Sequence, residues 1–221
     1  MRRLIDLSHD IKNGMTTYKG LPAPLICDFL SREASRANYE DGTEFQIARI
    51  DMVANTGTYL DCPFHRYADG KDLAAVALER LVGLPAVLVH VDHRERLEVG
   101  AADFDALEVR GKAVLVHTGW SRHWGTPAYL QDHPFLSAAA AVRLRERGAA
   151  LVGIDAHNID DTRTRNSRPV HSELLAHEIL IVEHLRGLEL LPAGAAARFS
   201  AVPPRLVGVG TFPVRAFAEL A

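Results

Sequence analysis

Carboxylate, imidazole, phenol, amide and thiol side chains crowd into one short segment, from Asn55 to His65, which reads Asn-Thr-Gly-Thr-Tyr-Leu-Asp-Cys-Pro-Phe-His. Gly57 and Pro63 keep this segment from forming a regular helix. A carboxylate near an imidazole, here Asp61 and His65, can work as a general acid and base. The segment is therefore the best candidate for an active site. The window alone also permits a simpler interpretation, a polar turn at the end of a strand.

The spacing within this segment predicts where its side chains point. Tyr59 and Asp61 are two residues apart, so on an extended backbone both point to the same face. Pro63 bends the chain and lets His65 return toward them. We therefore expect the phenol, the carboxylate and the imidazole to lie close together.

Apolar patterns define the elements that position this segment. Residues 44–53 form a β-rich run with alternating polarity at its start, which predicts a strand leading into the segment. Further strands are predicted at residues 3–8, 86–91, 113–117, 151–154, 179–182 and 207–212. Helices are predicted at residues 73–82, 138–147 and 213–220, with a short helical stretch from His171. Strands that alternate with helices in this way indicate an α/β or α+β fold with a mixed sheet.

Polar residues follow the predicted strand at 151–154, at an edge where open sheets commonly bind ligands. They are Asp155, His157, Asn158, Asp160 and Asp161. These carboxylates could serve as metal ligands, but we favour a structural role for them, in salt bridges and Asx-type turns that hold the loop from Arg163 to Arg168.

Three more titratable residues stand at the ends of predicted buried strands. His90 and His117 are expected to be core or strand-end histidines rather than metal ligands. Glu183 emerges directly from the apolar run 179–182, and a buried carboxylate without a partner is destabilising by several kcal/mol. Glu183 therefore requires a cation, an arginine or a proton.

Length and composition limit the class of protein. With 221 residues, 48% of them hydrophobic, and no stretch that reads as a linker, the chain is predicted to be one domain over residues 1–221. The net charge is −3, from 25 basic and 28 acidic residues spread along the chain, which gives no footprint for nucleic acid or an anionic membrane. A small neutral or anionic organic molecule is the expected partner.

Cysteine content and hydropathy predict the compartment. The chain has two cysteines, Cys27 and Cys62, which argues against a disulfide framework and fits a reducing compartment. Asp6 interrupts the apolar core that a signal peptide would need, and no run approaches the roughly 18 apolar residues of a membrane span. We expect a cytoplasmic protein that is not inserted in a membrane.

The central segment matches the pattern His-x-Gly-Thr-His-x-Asp-x-Pro-x-His at Gly57-Thr58, Asp61, Pro63 and His65. Five other runs occur in the matching order, at residues 4–9, 118–120, 152–155, 181–185 and 213–216. Together these motifs resemble the cyclase family of metal-dependent hydrolases, to which bacterial kynurenine formamidase and isatin hydrolase belong. The resemblance covers nearly the whole chain. It implies a mixed β-sheet core with flanking helices in the swivelling β/β/α arrangement, assembled as a homodimer or homotetramer.

The resemblance also implies a set of site residues. Asp61, His171 and Glu183 correspond to metal ligands, and His65 corresponds to the catalytic histidine. Tyr18 corresponds to an aromatic residue that contacts substrate. Asn55 and Tyr59 replace the two signature histidines that would hold one of two ions in relatives.

One divalent ion per chain is therefore expected, zinc or manganese, because amide and phenol oxygens are weaker donors than imidazole. Three protein ligands and an exchangeable water are typical of a catalytic metal site. The function implied is hydrolysis of a non-peptide carbon–nitrogen bond in a small cyclic or aromatic amide. A metal-activated water would attack, and His65 would act as the acid/base.

Two alternatives from other classes remain open at this point. The first is a metal-free cyclase or dehydratase that uses Asp61 and His65 as an acid/base pair. The second is a small-molecule binding protein that has lost the metal site. Cys62 lies three residues before His65 and is therefore a candidate nucleophile. Relatives carry small inert residues at that position, so we expect this thiol to be dispensable.

Overall fold

The structure, a computed structural model, describes residues 3–164, 167–192, 194 and 196–220. Within these residues nine strands form one large sheet, and four others form two small sheets. In chain order the strands are β1 (Arg3–Asp6), β2 (Leu25–Leu30), β3 (Ile47–Asp51), β4 (Tyr59–Asp61), β5 (Leu84–His90), β6 (Glu98–Val99), β7 (Ala113–His117), β8 (Phe135–Leu136), β9 (Leu151–Ile154), β10 (Leu180–Glu183), β11 (Ala197–Ser200), β12 (Thr211–Pro213) and β13 (Phe217–Leu220).

The large sheet is mixed, as the sequence predicts. Its strand order is β1-β13-β11-β5-β7-β9-β10-β4-β12. The four central strands from β5 to β10 run parallel, and the strands on both sides of them pair antiparallel. The carboxyl ends of the central strands meet at one edge, and the short strands β4 and β12 extend the sheet beside β10. This edge carries the polar residues considered below.

A hydrophobic core covers each face of the sheet. Val114 and Val116 of β7 pack into one core, and Ala113 and Leu115 of the same strand pack into the other. Strand β7 is therefore buried on both faces, as its continuous apolar sequence predicts.

Helices pack mainly against the first of these cores. The α-helices are α1 (Arg32–Ser35), α2 (Ala138–Glu146) and α3 (Pro169–Ala176). Ser137 caps α2 by accepting a hydrogen bond from the N–H of Ala140 at 3.1 Å, and Gly148 follows with a φ of 76°, which confirms the predicted start and stop of this helix. Short 3-10 turns cover Arg36–Asn38, Pro63–His65, Leu78–Arg80, Ala101–Phe104, Trp120–His123, Pro127–Leu130 and Leu188–Leu190.

Two predicted helices are wrong. Residues 73–82 contain only the 3-10 turn Leu78–Arg80, because the N–H groups of Leu73 and Ala74 donate to the carbonyls of Val209 and Leu206 instead of to a preceding turn. Residues 213–220 end in strand β13, which lies between β1 and β11. Hydrogen bonds to two strands distant in sequence override the helical preference of its alanine, glutamate and leucine.

The hairpin of β2 and β3 has an unusual apolar surface. Its two strands pair with each other outside the large sheet. Leu25, Phe29, Ile47 and Ile50 are 51%, 75%, 49% and 58% exposed.

None of the helices among the described residues has the length and apolar character that a membrane span requires.

Candidate metal centre

The strand register brings the predicted site residues together. β4 pairs with β10 so that Tyr59 lies opposite Glu183, and it pairs with β12 so that Asp61 lies opposite Thr211. Tyr59 and Asp61 share a face because they are two residues apart on a strand. One face of this edge of the sheet therefore presents a phenol, two carboxylates and a hydroxyl.

Asp61 is fully buried, and only one of its two carboxylate oxygens accepts a hydrogen bond from a described residue. Its Oδ1 accepts a short hydrogen bond from the Thr211 hydroxyl. Its Oδ2 is buried without a hydrogen-bond partner among the described residues and lies 3.7 Å from Nε2 of His171. A buried carboxylate oxygen without a partner is costly, so this atom marks a place for a cation or a proton.

Thr211 also fixes the orientation of His65. His65 lies in the 3-10 turn that Pro63 begins, and its Nδ1 is 2.6 Å from Oγ1 of Thr211. The single hydroxyl proton of Thr211 goes to Asp61, so its oxygen accepts from Nδ1–H of His65. This network assigns the Nδ1–H tautomer and leaves Nε2 of His65 free to accept a proton. Sequence reasoning missed Thr211, since only the strand pairing brings it next to Asp61.

Asp160 orients His171 in the first turn of α3. Oδ2 of Asp160 accepts from Nδ1 of His171 at 2.6 Å and from its backbone N–H at 3.0 Å, while Oδ1 accepts from the N–H of Val170 at 2.7 Å. Nε2 of His171 points instead to Asp61 and Glu183, 3.7 Å from each carboxylate. Burial opposes protonation of His171, but the hydrogen bond to Asp160 and the nearby negative charges of Asp61 and Glu183 outweigh it and raise its pKa to about 10.

Glu183 is held on both oxygens. Its Oε2 accepts from the hydroxyl of Tyr59 at 2.5 Å, and its Oε1 accepts from the N–H of Ile159 at 2.6 Å. Burial raises the pKa of Glu183 to about 7, against the opposing effects of His171 and Tyr59. Burial, together with the charge of Glu183, also raises the pKa of Tyr59 well above its usual range. The phenol therefore stays protonated and donates to the carboxylate.

Tyr18 and Asn55, the other predicted positions, differ in their relation to the site. The hydroxyl of Tyr18 accepts from the amide of Asn158 at 2.6 Å and lies 3.2 Å from the hydroxyl of Tyr59. Tyr18 thus contacts Tyr59, which holds Glu183. Asn55 is half-buried, and its side chain makes no hydrogen bond within the described residues.

The donor set fits a divalent cation. Asp61, His65 and His171 offer ligand atoms that all lie within 4.8 Å of one another, and Oε1 of Glu183 lies 3.7 Å from Nε2 of His171. Carboxylate and imidazole donors suit zinc or manganese. Neutralising Asp61 and Glu183 with a cation would also remove the reason for a proton on His171, because ligands bind in their deprotonated form. The group of ligand atoms close enough for one ion thus contains His65 with two of the three predicted ligands, Asp61 and His171, and Glu183 adjoins this group through His171.

Other polar residues singled out in the sequence have local partners. Asp155 accepts hydrogen bonds from Thr118 and Gly119, and Asp161 pairs with Arg163 at 2.9 Å. Cys62 is buried, and burial raises the pKa of its thiol to about 11, so it is not a thiolate at neutral pH.

His184 is a residue that sequence reasoning did not single out. It adopts a φ of 58° although it is not glycine, and it is fully buried. The rings of Tyr18, Tyr59, Trp124 and Tyr129 surround it. His184 thus packs behind Tyr59 and supports its ring.

Comparison with known proteins places these features in context. The family model described as "Putative cyclase" matches residues 5–161. Kynurenine formamidase from Bacillus cereus is 29% identical over 182 residues, which cover 82% of this chain and 81% of that protein. Kynurenine formamidase from Geobacillus thermodenitrificans is 28% identical over 184 residues, 82% of this chain and 84% of that one.

Solved structures share the fold over almost the full length. A potential metal-dependent hydrolase with cyclase activity has a TM-score of 0.81 at 27% identity, covering 100% of this chain and 99% of that one. An isatin hydrolase bound to the product analogue thioisatinate has a TM-score of 0.84 at 19% identity, covering 99% of this chain and 92% of that one. The second likeness concerns the fold alone.

Proposed function

Because the chain belongs to the cyclase family, we propose that it is a metal-dependent hydrolase that cleaves a non-peptide carbon–nitrogen bond in a small cyclic or aromatic amide. The similarity to kynurenine formamidases supports the amide bond as the target. The observation that carries the metal dependence is the unpartnered Oδ2 of Asp61, buried and facing Nε2 of His171 at 3.7 Å.

We propose Asp61, His171 and Glu183 as the residues that hold one divalent ion per chain, zinc or manganese. Two carboxylates and one imidazole form a harder donor set than three histidines, which makes manganese as suitable as zinc. Such an ion, when bound, lowers the pKa of a bound water to about 7 and polarises a carbonyl oxygen.

His65 is proposed as the acid/base. Thr211 holds Nδ1–H, so Nε2 can take a proton from the attacking water and return it to the leaving nitrogen. Asp160 keeps Nε2 of His171 directed at the two carboxylates, and Tyr59 fixes Glu183 on the opposite side. Tyr18 is proposed to contact substrate beside these groups.

The two alternatives receive less support. A metal-free acid/base enzyme could use the Asp61, Thr211 and His65 network, but it would leave Oδ2 of Asp61 without a hydrogen bond from the described residues, with only the charge of His171 at 3.7 Å opposite it. A binding protein would not need the tautomer of His65 to be fixed. The hydrolase proposal explains both features.

The assembly and location are also proposals. We infer a single domain, because β1 and β13 from the two ends of the chain are neighbours in one sheet. We infer a homodimer or homotetramer from the exposed apolar side chains of β2 and β3, since exposed apolar surface commonly marks a protein contact. Both cysteines are free, which fits a cytoplasmic location.

Elemental analysis and a paired activity assay test the proposed function. Protein purified without a histidine tag should carry about one equivalent of zinc or manganese, and Glu183→Ala should lose it. Hydrolysis of aryl formamides and small cyclic amides should stop with a chelator and return when the metal is restored. The absence of metal after reconstitution would refute the metal-dependent mechanism. Two equivalents would instead show that Asn55 and Tyr59 still serve as ligands.

A further inference from the structure

A cavity of about 330 Å³ opens over the proposed metal centre. Its lining consists of His65, Arg66, Asn158, Arg168 and His171. The two histidines belong to the centre itself, so this cavity is where a substrate would meet them. Two of the other three residues are arginines, and none is acidic.

The guanidinium groups of these arginines have donors to spare. Nε of Arg66 donates to Oγ of Ser172 at 3.2 Å, and Nη1 of Arg168 donates to the carbonyl of Ser167 at 2.6 Å. An arginine has five N–H donors, and within the described residues neither of these two arginines faces a carboxylate. Arg163, in the loop before α3, differs because Asp161 pairs with it.

The negatively and positively charged residues in and around the cavity lie at different depths. Asp61, Asp160 and Glu183 are buried behind the two histidines, with at most 1% of their surface exposed. Arg66 and Arg168, in contrast, belong to the lining of the cavity. With a cation bound to Asp61 and Glu183 these carboxylates are largely neutralised, and Arg66 and Arg168 are then the charged residues of the lining that attract a negative group on a substrate. A neutral amide attached to that group would then face His65 and His171.

We propose that the substrate amide carries a carboxylate, which Arg66 and Arg168 bind while the amide carbonyl lies against His65 and His171. The planar guanidinium fork matches the two oxygens of a carboxylate, which is why arginine is suited to this recognition. This inference rests on the proposed amide hydrolysis and specifies its substrate as an anionic amide.

Binding of two ring compounds of similar shape, one with a carboxylate and one with a neutral carboxamide, tests the proposal without any turnover. The probes are 2-aminobenzoate and 2-aminobenzamide, titrated calorimetrically into the metal-loaded full chain. The unmodified protein should bind the benzoate about tenfold more tightly or better. Arg66→Gln and Arg168→Gln should each weaken the benzoate roughly tenfold, and should leave the amide within about twofold. Arg163→Gln is the matched control, because Asp161 already neutralises that arginine, and it should change neither probe.

Salt gives a second readout that needs no variant. Raising the ionic strength should weaken the benzoate and leave the neutral amide nearly unchanged, because screening acts on charged pairs. Equal affinity of the two probes would overturn the proposal. So would a preference for the benzoate that survives in the Arg66→Gln/Arg168→Gln double variant, since the carboxylate would then bind elsewhere.

Hydrolysis of 2-formamidobenzoate and formanilide separates this inference from the proposed function. Arginine-dependent binding without hydrolysis of either compound would refute the amidohydrolase and support the anion site. Hydrolysis of both compounds with equal KM, unchanged in the double variant, would support the amidohydrolase and refute the anion site. A lower KM for the charged compound that is lost in the double variant supports both.

Discussion

Removing the hydroxyl of Tyr59 should weaken the site in a way that depends on pH. The hydroxyl donates to Oε2 of Glu183 at 2.5 Å, and both residues are only 1% exposed. Tyr59→Phe keeps the ring and leaves Oε2 without a donor. A net hydrogen bond to a charged group contributes about 1.5–3 kcal/mol, and one to a neutral group about 1 kcal/mol.

The charge of Glu183 decides which of these values applies. Burial raises its pKa to about 7, and the Tyr59 hydroxyl opposes that rise, so the variant should have a still higher pKa. A carboxyl whose pKa is raised on folding is most stable protonated, and its contribution to stability is lost as pH rises through the folded value. Tyr59→Phe should therefore destabilise the metal-free protein by about 1 kcal/mol at a pH near 5.5 and about 2–3 kcal/mol near pH 8.5.

Urea unfolding of chelator-treated protein at the two pH values measures this difference. Tyr39→Phe is the matched control, because Tyr39 is 46% exposed and its hydroxyl has no hydrogen bond among the described residues. That variant should change the free energy of unfolding by less than about 0.5 kcal/mol at either pH. A Tyr59→Phe loss of the same size at both pH values would refute the argument that the phenol stabilises the charged form of Glu183.

Four further predictions concern the residues around Tyr59. His65→Ala should lower kcat by about a hundredfold or more while metal content stays the same, and loss of the metal would instead make His65 a ligand. Asp160→Asn should weaken metal affinity by about 10–100-fold in a chelator competition, because His171 loses its orienting acceptor, and an unchanged affinity would count against that role. Cys62→Ala should leave activity within a few-fold, whereas an adduct on the thiol and loss of turnover would indicate covalent catalysis. Burial lowers the pKa of His157 to about 3, so between pH 6.5 and about 3 the free energy of unfolding should fall by up to about 1.4 kcal/mol for each unit that the pH drops. His157→Leu should reduce this slope in acid unfolding curves, and an unchanged slope would show that the buried imidazole is already charged.

The part of the site that the sequence predicts is the part that depends on local spacing. Tyr59 and Asp61 share a face because side chains alternate along a strand, and Glu183 ends a buried strand as its apolar run indicates. Both rules act within a few residues. The parallel centre of the sheet follows in the same way from apolar runs that alternate with helical patterns.

The rest depends on pairing between segments distant in sequence. Thr211 lies opposite Asp61 only because β12 pairs with β4 across 150 residues of chain. The predicted C-terminal helix failed for a similar reason, since β1 and β11 provide the hydrogen bonds that make Phe217–Leu220 a strand. Local propensity contains no information on these partners.

Tyr59 connects the departure from the family signature with the proposed number of ions. The signature has histidine at this position, where an imidazole could bind a cation beside Glu183. The phenol instead donates a hydrogen bond to Oε2, so this oxygen already has a donor where a second ion would have been bound. Oε1 remains on the side of His171, where the unpartnered Oδ2 of Asp61 also lies. The carboxylate oxygens that face His171 thus lie on one side of Glu183, which is the physical reason to expect one ion rather than two.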